Sequence, residues 1–238
     1  MNPKNSTTSP QAKGSRTTGV LVALIVAAVV AAIIVAMALG GTGDDTASTM
    51  AAESARIPTS GTLRQVSFSE AAGEAPPLFD TSLAVDPAVG MAAPTITASY
   101  FDNTEVTIDL ADGQPRVVMF MAHWCPHCQD EVSSLVERFA TEGIRSDVEL
   151  LPISTNVDEG APNYSPSQWL LGEGWSVPVL RDSANNDLAA GFGLSGFPFF
   201  VVVDEEGEIV TRRSGAVPRA QWNSFLDQAL TGGSDIAG

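Results

Sequence analysis

Cysteine is almost absent from this chain: 238 residues hold two, Cys125 and Cys128. With no third thiol, a framework of structural disulfides is excluded. Lysine is equally scarce, and both lysines, Lys4 and Lys13, lie ahead of residue 20. The first acidic residue is Asp44, so everything beyond residue 39 carries nine basic against twenty-eight acidic residues, a formal charge of −19. Nucleic acid and anionic membrane surfaces are poor partners for such a surface. The solubility of an acidic exported protein accounts for the charge without a dedicated basic partner. No internal repeat is visible, and the hydrophobic content of 44% suits one globular core with appendages.

Charge is missing altogether from Val20 to Leu39, an apolar run rich in Val, Ala and Ile. As a helix it spans about 30 Å, the thickness of a bilayer's hydrocarbon core. Lys4, Lys13 and Arg16 precede it. The bias of positive charge toward the cytoplasm therefore predicts residues 1–19 as a cytoplasmic N-terminus, 20–39 as a single transmembrane anchor and the remainder as extracytoplasmic. A cleaved signal peptide is the competing reading, because Ala36-Met37-Ala38 has the small-x-small form of a cleavage site. The run exceeds the usual length of a signal core, which favours the anchor. No cysteine follows it, so a lipid-modified cysteine anchor is excluded. Both readings place the working part where disulfide chemistry is meaningful.

Residues 40–88, rich in Ala, Ser, Thr, Gly and Pro with little periodicity, read as a flexible extracytoplasmic tether. Within it, the piece Leu63 to Phe68 is apolar enough to dock as a strand. From Val89 the texture changes, and residues 89–232 read as one α/β domain, followed by a disordered tail at 233–238. Val106 to Leu110 alternates like a half-buried strand, and Arg116 to Met121 is a near-continuous apolar run, as in a strand covered on both faces. A helix follows to about Ala140, with Val132, Leu135, Val136 and Phe139 on one stripe. Val148 to Ile153 predicts the next strand, and Ser165-Pro166-Ser167-Gln168 a helix start. A short helix near Asp187 to Phe192, a hairpin of Phe199–Val203 with Glu208–Thr211, and a last helix over Arg219 to Leu230 complete the pattern. The alternation predicts a central mixed sheet with helices on both faces.

The chemistry centres on His123-Trp124-Cys125-Pro126-His127-Cys128. Two cysteines separated by two residues, between an apolar strand and a helix, are spaced to make and break one bond with each other. Cys125 falls at the helix N-terminus, where unpaired N–H groups and the helix dipole favour a thiolate. Pro126 suits the first turn. His127, between the sulfurs, can donate to or pair with the thiolate, which would favour the reduced form and make the disulfide a stronger oxidant. Cys128, one turn on, is the natural resolving thiol. A metal site is the rival reading, since His123, Cys125, His127 and Cys128 are all potential ligands. Four ligands so close in sequence do not easily wrap one tetrahedral ion, and no second ligand cluster is present, so no metal is assigned.

Phe120-Met121-Ala122-His123-Trp124-Cys125-Pro126-His127-Cys128 resembles the F-x-A-x-W-C-x-x-C core of the thioredoxin superfamily. Phe197-Pro198 before an apolar strand looks like its cis-proline element, while Ala93-Pro94 and Asp204 to Ile209 also fit. The resemblance covers roughly residues 88 to 232. It implies a thioredoxin fold with Pro198 cis beside Cys125, and a substrate groove shaped by Trp124, Phe197 and Pro198. Glu131, three residues after Cys128, is similar in place to the acid of membrane-anchored TlpA/ResA-like proteins, where a role in proton transfer is implied; a solvated charge on the first helical turn is the other reading. Ser133 replaces the proline usual in those proteins, and Met119 stands where thioredoxin and DsbA carry a buried acid. Pro126-His127, in contrast, resembles the DsbA dipeptide. Thioredoxin and DsbA differ by about 150 mV, about 7 kcal/mol, enough to separate reductant from oxidant.

The sequence therefore predicts a membrane-tethered, extracytoplasmic thiol–disulfide oxidoreductase acting on protein thiols, with its direction open. Its redox group is the Cys125–Cys128 pair itself, with no further cofactor. One cysteine pair must be recharged, so a membrane redox partner is implied. The alternative from another class is a copper or zinc chaperone, or a non-catalytic binding module, on the same fold.

Overall fold

The computed structural model describes Arg56 and residues 64–232. The anchor expected at 20–39, the stretch before it, residues 40–55 and 57–63 of the tether and the tail at 233–238 lie outside the described residues. Among the described residues no helix is long and apolar enough to cross a membrane.

The elements run, in order, β1 (Glu70–Ala72), β2 (Thr95–Tyr100), β3 (Glu105–Ile108), β4 (Arg116–Met121), α1 (Pro126–Glu142), β5 (Glu149–Ser154), α2 (Pro166–Glu173), β6 (Leu180–Arg181), α3 (Asp187–Gly191), β7 (Phe199–Val203), β8 (Ile209–Ser214), a 3₁₀ turn at Arg219–Gln221 and α4 (Trp222–Thr231). They form one mixed sheet in the order β1-β2-β6-β5-β4-β7-β8, with β3 also paired to β2. Strand β4 lies parallel to β5 and antiparallel to β7. The β4–α1–β5 passage is a crossover unit, which explains the continuous apolar stretches Val117–Met121 and Leu150–Ile153 within the two strands.

All six residues of β4 are buried. Their alternation feeds two cores: Val117, Met119 and Met121 face the core that also holds α1, α2 and α4, while Val118 and Phe120 face the other, with Leu188 and Phe192. On α1, Val132 and Leu135 are buried, and Val136 and Phe139 pack against the same core as expected. The helix runs unbroken through Ser133, whose hydroxyl donates to Glu173 at 2.8 Å. A central sheet with helices on both faces is the thioredoxin-like α/β arrangement that the resemblance implied.

The tether reading fails over residues 64–88. That stretch lacks apolar periodicity; isolated apolar anchors such as Phe79 and Ala88, together with polar contacts, hold it. Strand β1 pairs with β2. The Gln65 side chain accepts from the Ser167 N–H at 3.0 Å, capping α2, whose own Ser165 makes no side-chain cap bond. Buried Asp182 gathers donors from Ser69 Oγ (2.8 Å), Thr155 Oγ1 (2.7 Å) and the N–H groups of Ser183, Leu188 and Ala189. Further along, Arg212 makes a two-pronged ion pair with Asp86 (2.8 and 2.6 Å) and donates to the carbonyls of Pro77 and Phe192. Gly193, at φ 68°, lets this segment cross: a Cβ there would lie 2.4 Å from the Pro77 carbonyl oxygen.

Because the Arg212 side chain is fully buried, its charge depends on Asp86. Asp86→Ala is expected to destabilise the fold by about 3–5 kcal/mol. Urea unfolding should show a lower midpoint at unchanged slope; a midpoint equal to wild type would restore the tether reading for residues 76–88.

Candidate active site

Strand β4 ends at Met121, and the chain turns so that the Cys125 N–H donates to the Ala122 carbonyl at 3.1 Å. Cys125 is then the N-cap of α1, in extended conformation (φ −79°, ψ 118°), with Pro126 in the first turn. Its carbonyl accepts from the N–H groups of Cys128 and Gln129, both at 3.1 Å. The helix N-terminus thus begins at the sulfur-bearing residue, as the motif predicts. Cys125 is buried to 6% exposure and Cys128 to 0%; both are free thiols. Pro126 and His127 are exposed on the same turn. Burial pushes the Cys128 thiol well above its ordinary range, and the nearby charges of Cys125 and Glu131 add to the rise.

The Phe197–Pro198 bond is cis, as the resemblance implied. The Phe197 ring meets Trp124 edge-on, with centroids 5.7 Å apart, which brings the proline loop to the cysteine motif. Trp124 is fixed in turn by its indole N–H, which donates to the Asn156 carbonyl at 2.8 Å. Trp124 and Phe197 both pack against the core that holds the two cysteines, and Pro198 follows Phe197 directly.

Glu131 does not sit in solvent. It is 3% exposed, and its carboxylate accepts from the Val217 N–H at 3.0 Å. Burial pushes its pKa up to about 7, against the pull of that bond and of the Arg213 charge. Met119 lies in the same core as both cysteines, so the strand supplies no acid there. Glu131 is the carboxylate whose charge reaches Cys128.

His123 does not behave as a ligand. It is fully buried; its Nδ1–H donates to the Pro162 carbonyl at 2.8 Å, and Nε2 accepts from the Asp158 N–H at 3.2 Å. Both ring nitrogens are occupied, and burial lowers its pKa, holding the ring neutral. Among the described residues no group of three or more His, Cys, Asp or Glu side chains is arranged to hold a metal. Sequence reading missed Asn156 and Val217, both of which act through backbone groups that leave no mark on residue identity.

The AhpC/TSA family matches residues 89–212, more than half of the chain. The chain belongs to this family. As an AhpC/TSA member it is 30% identical over 130 residues to the thiol:disulfide interchange protein HelX of Rhodobacter capsulatus, covering 53% of this chain and 67% of that protein. It is 28% identical over 105 residues to bovine nucleoredoxin, covering 43% of this chain and 23% of the relative, so it spans under a quarter of that relative's length. A crystal structure of a thioredoxin-family thiol:disulfide interchange protein from Chlorobium tepidum aligns over 58% of this chain and 95% of its own, at 24% identity and a TM-score of 0.48. Family and sheet topology together put the AhpC/TSA chain within the thioredoxin superfamily.

The raised Glu131 pKa has a sign for stability. The folded state holds the proton more tightly than the unfolded chain, whose value is near 4.5. The contribution is therefore fully present below pH 4.5 and is lost as pH rises through about 7. At most roughly 3 kcal/mol is involved. Glu131→Gln should remove this loss: the gap between variant and wild-type unfolding free energies should widen in the variant's favour from pH 4.5 to 7.5. A constant gap would mean that Glu131 titrates normally.

Proposed function

We propose that this protein is a thiol–disulfide oxidoreductase that exchanges disulfides with protein thiols through Cys125 and Cys128. The observation that carries the reading is the placement of Cys125 as the N-cap of α1 with Cys128 buried one turn on, in the core against which Trp124 and Phe197 pack. The printed name of the relative HelX, a thiol:disulfide interchange protein, supports it.

In the reducing direction the Cys125 thiolate attacks a substrate disulfide, forming a mixed disulfide and releasing one substrate thiolate. Cys128 then loses its proton and attacks the Cys125 sulfur. The second substrate thiolate leaves, the substrate gains two electrons, and Cys125–Cys128 becomes the disulfide. The oxidising direction is the reverse. Burial keeps the Cys128 proton in place, so the second step needs a base. Glu131, with its pKa near 7, is the group to accept that proton. His127, exposed on the same turn between the two cysteines, sets the potential by its interaction with the Cys125 sulfur. Trp124, Phe197 and Pro198 receive the substrate's extended peptide.

The pair serves as the redox group without a further cofactor. The charge-free run at Val20–Leu39 tethers the domain to the membrane on the extracytoplasmic side, and a membrane redox partner recharges the pair. A reporter enzyme active only outside the cytoplasm, fused at Gly238, should be active and membrane-bound; activity in the soluble fraction would favour a cleaved signal.

Cys125→Ser is expected to abolish exchange, and retained turnover would overturn the assignment. Cys128→Ser should instead accumulate mixed disulfides with protein substrates, visible as dithiothreitol-sensitive adducts on a non-reducing gel. Equilibration of the domain against glutathione buffers reads direction: a potential near −120 mV marks a donor of disulfides, and one near or below −270 mV a reductant.

A further inference from the structure

The backbone between β8 and α4 touches both halves of the site. Strand β8 leaves the sheet through Gly215, at φ 92°, a conformation that favours glycine. The Gly215 N–H donates to the Pro198 carbonyl at 2.8 Å, and two residues later the Val217 N–H donates to Glu131 at 3.0 Å. Between them, the Ala216 carbonyl accepts two bonds from the Arg213 guanidinium, from Nε at 3.1 Å and Nη2 at 2.8 Å. Arg213 is half-exposed, and its charge also acts on Glu131 from the sheet side; Cys128 faces Glu131 from its own helix.

We propose that Arg213 is a positioning residue for thiol–disulfide exchange: it clamps Gly215–Val217, so that one piece of backbone holds both the carboxylate beside Cys128 and the proline of the substrate groove. The inference rests on the exchange activity proposed above. It assigns a role to a side chain that touches neither sulfur. The fork of the guanidinium grips one carbonyl from two nitrogens and fixes the turn's orientation, which a single ammonium donor does less well. Losing the clamp frees the Val217 N–H from the carboxylate and the Gly215 N–H from Pro198 together. Glu131 then holds its proton to higher pH, and the groove loses its register with an incoming peptide.

The test follows the Glu131 carboxyl carbon by NMR against pH, and separately measures kcat and KM for reduction of a peptide disulfide, in wild type, Arg213→Ala, Arg213→Lys and Glu131→Gln. In Arg213→Ala the Glu131 midpoint should rise by about half a unit or more, and KM should rise about threefold or more. Arg213→Lys, which keeps the charge but not the fork, should bring back the midpoint more fully than KM. In the Glu131→Gln background, Arg213→Ala should still raise KM but leave the pH profile of kcat unmoved. An unchanged midpoint, or an unchanged KM, in Arg213→Ala overturns the joint clamp. Absence of exchange in the wild type would instead remove the activity reading, while the NMR midpoint would still report the contact to Glu131.

Discussion

Strand β4 is hydrogen-bonded along both edges and covered on both faces, and the site is located by where that strand stops. A strand so enclosed has no freedom of register, because a slip of one residue would exchange the side chains of two separate cores. Its last residue, Met121, therefore fixes the point at which the chain leaves the sheet. Four residues later Cys125 becomes the N-cap of a helix whose packing stripe is set by the same core. The position of Cys125 follows from burial of hydrocarbon and owes little to the loop itself.

The two thiols, on one helical turn, lie in the same core, Cys125 at 6% exposure and Cys128 fully enclosed. Burial raises the Cys128 thiol above its ordinary range. Burial acts on Glu131 in the same sense, raising its pKa to about 7. A single physical cause, burial of one face of the first two turns of α1, raises both the Cys128 thiol and the Glu131 carboxyl.

What could be read in the sequence was whatever is local. The apolar run of β4, the stripe of α1, the cysteine spacing and the Phe197-Pro198 element all depend on neighbours in the chain, and the structure places them as expected. The described part of the segment expected as a tether was misread because its anchors lie far away: Ser69 meets Asp182, and Asp86 meets Arg212, across more than a hundred residues. Neither contact gives a hydrophobic period. The state of Glu131 was open for a similar reason, since a carboxyl one turn into a helix looks solvated until the segment carrying Val217 is laid over it. His123 seemed a ligand by type, and only the carbonyl of Pro162 and the N–H of Asp158 reveal it as a structural ring.

The scarcity of lysine has a consequence for how the scaffold and the chemistry share the pH scale. The ion pairs that lock the described fold use guanidinium on the cationic side: Arg116 with Asp112 and Glu149, Arg138 with Glu142, Arg145 with Asp147 and Asp227, Arg212 with Asp86. Guanidinium keeps its charge beyond pH 12, and Asp86, Asp112 and Asp147 are held below the usual carboxylate range by their partners. These clamps are therefore constant across the interval near neutrality in which the buried Glu131 carboxyl changes protonation. The frame stays electrostatically silent while Glu131 titrates, so a change of charge beside Cys128 leaves the sheet that positions both cysteines intact.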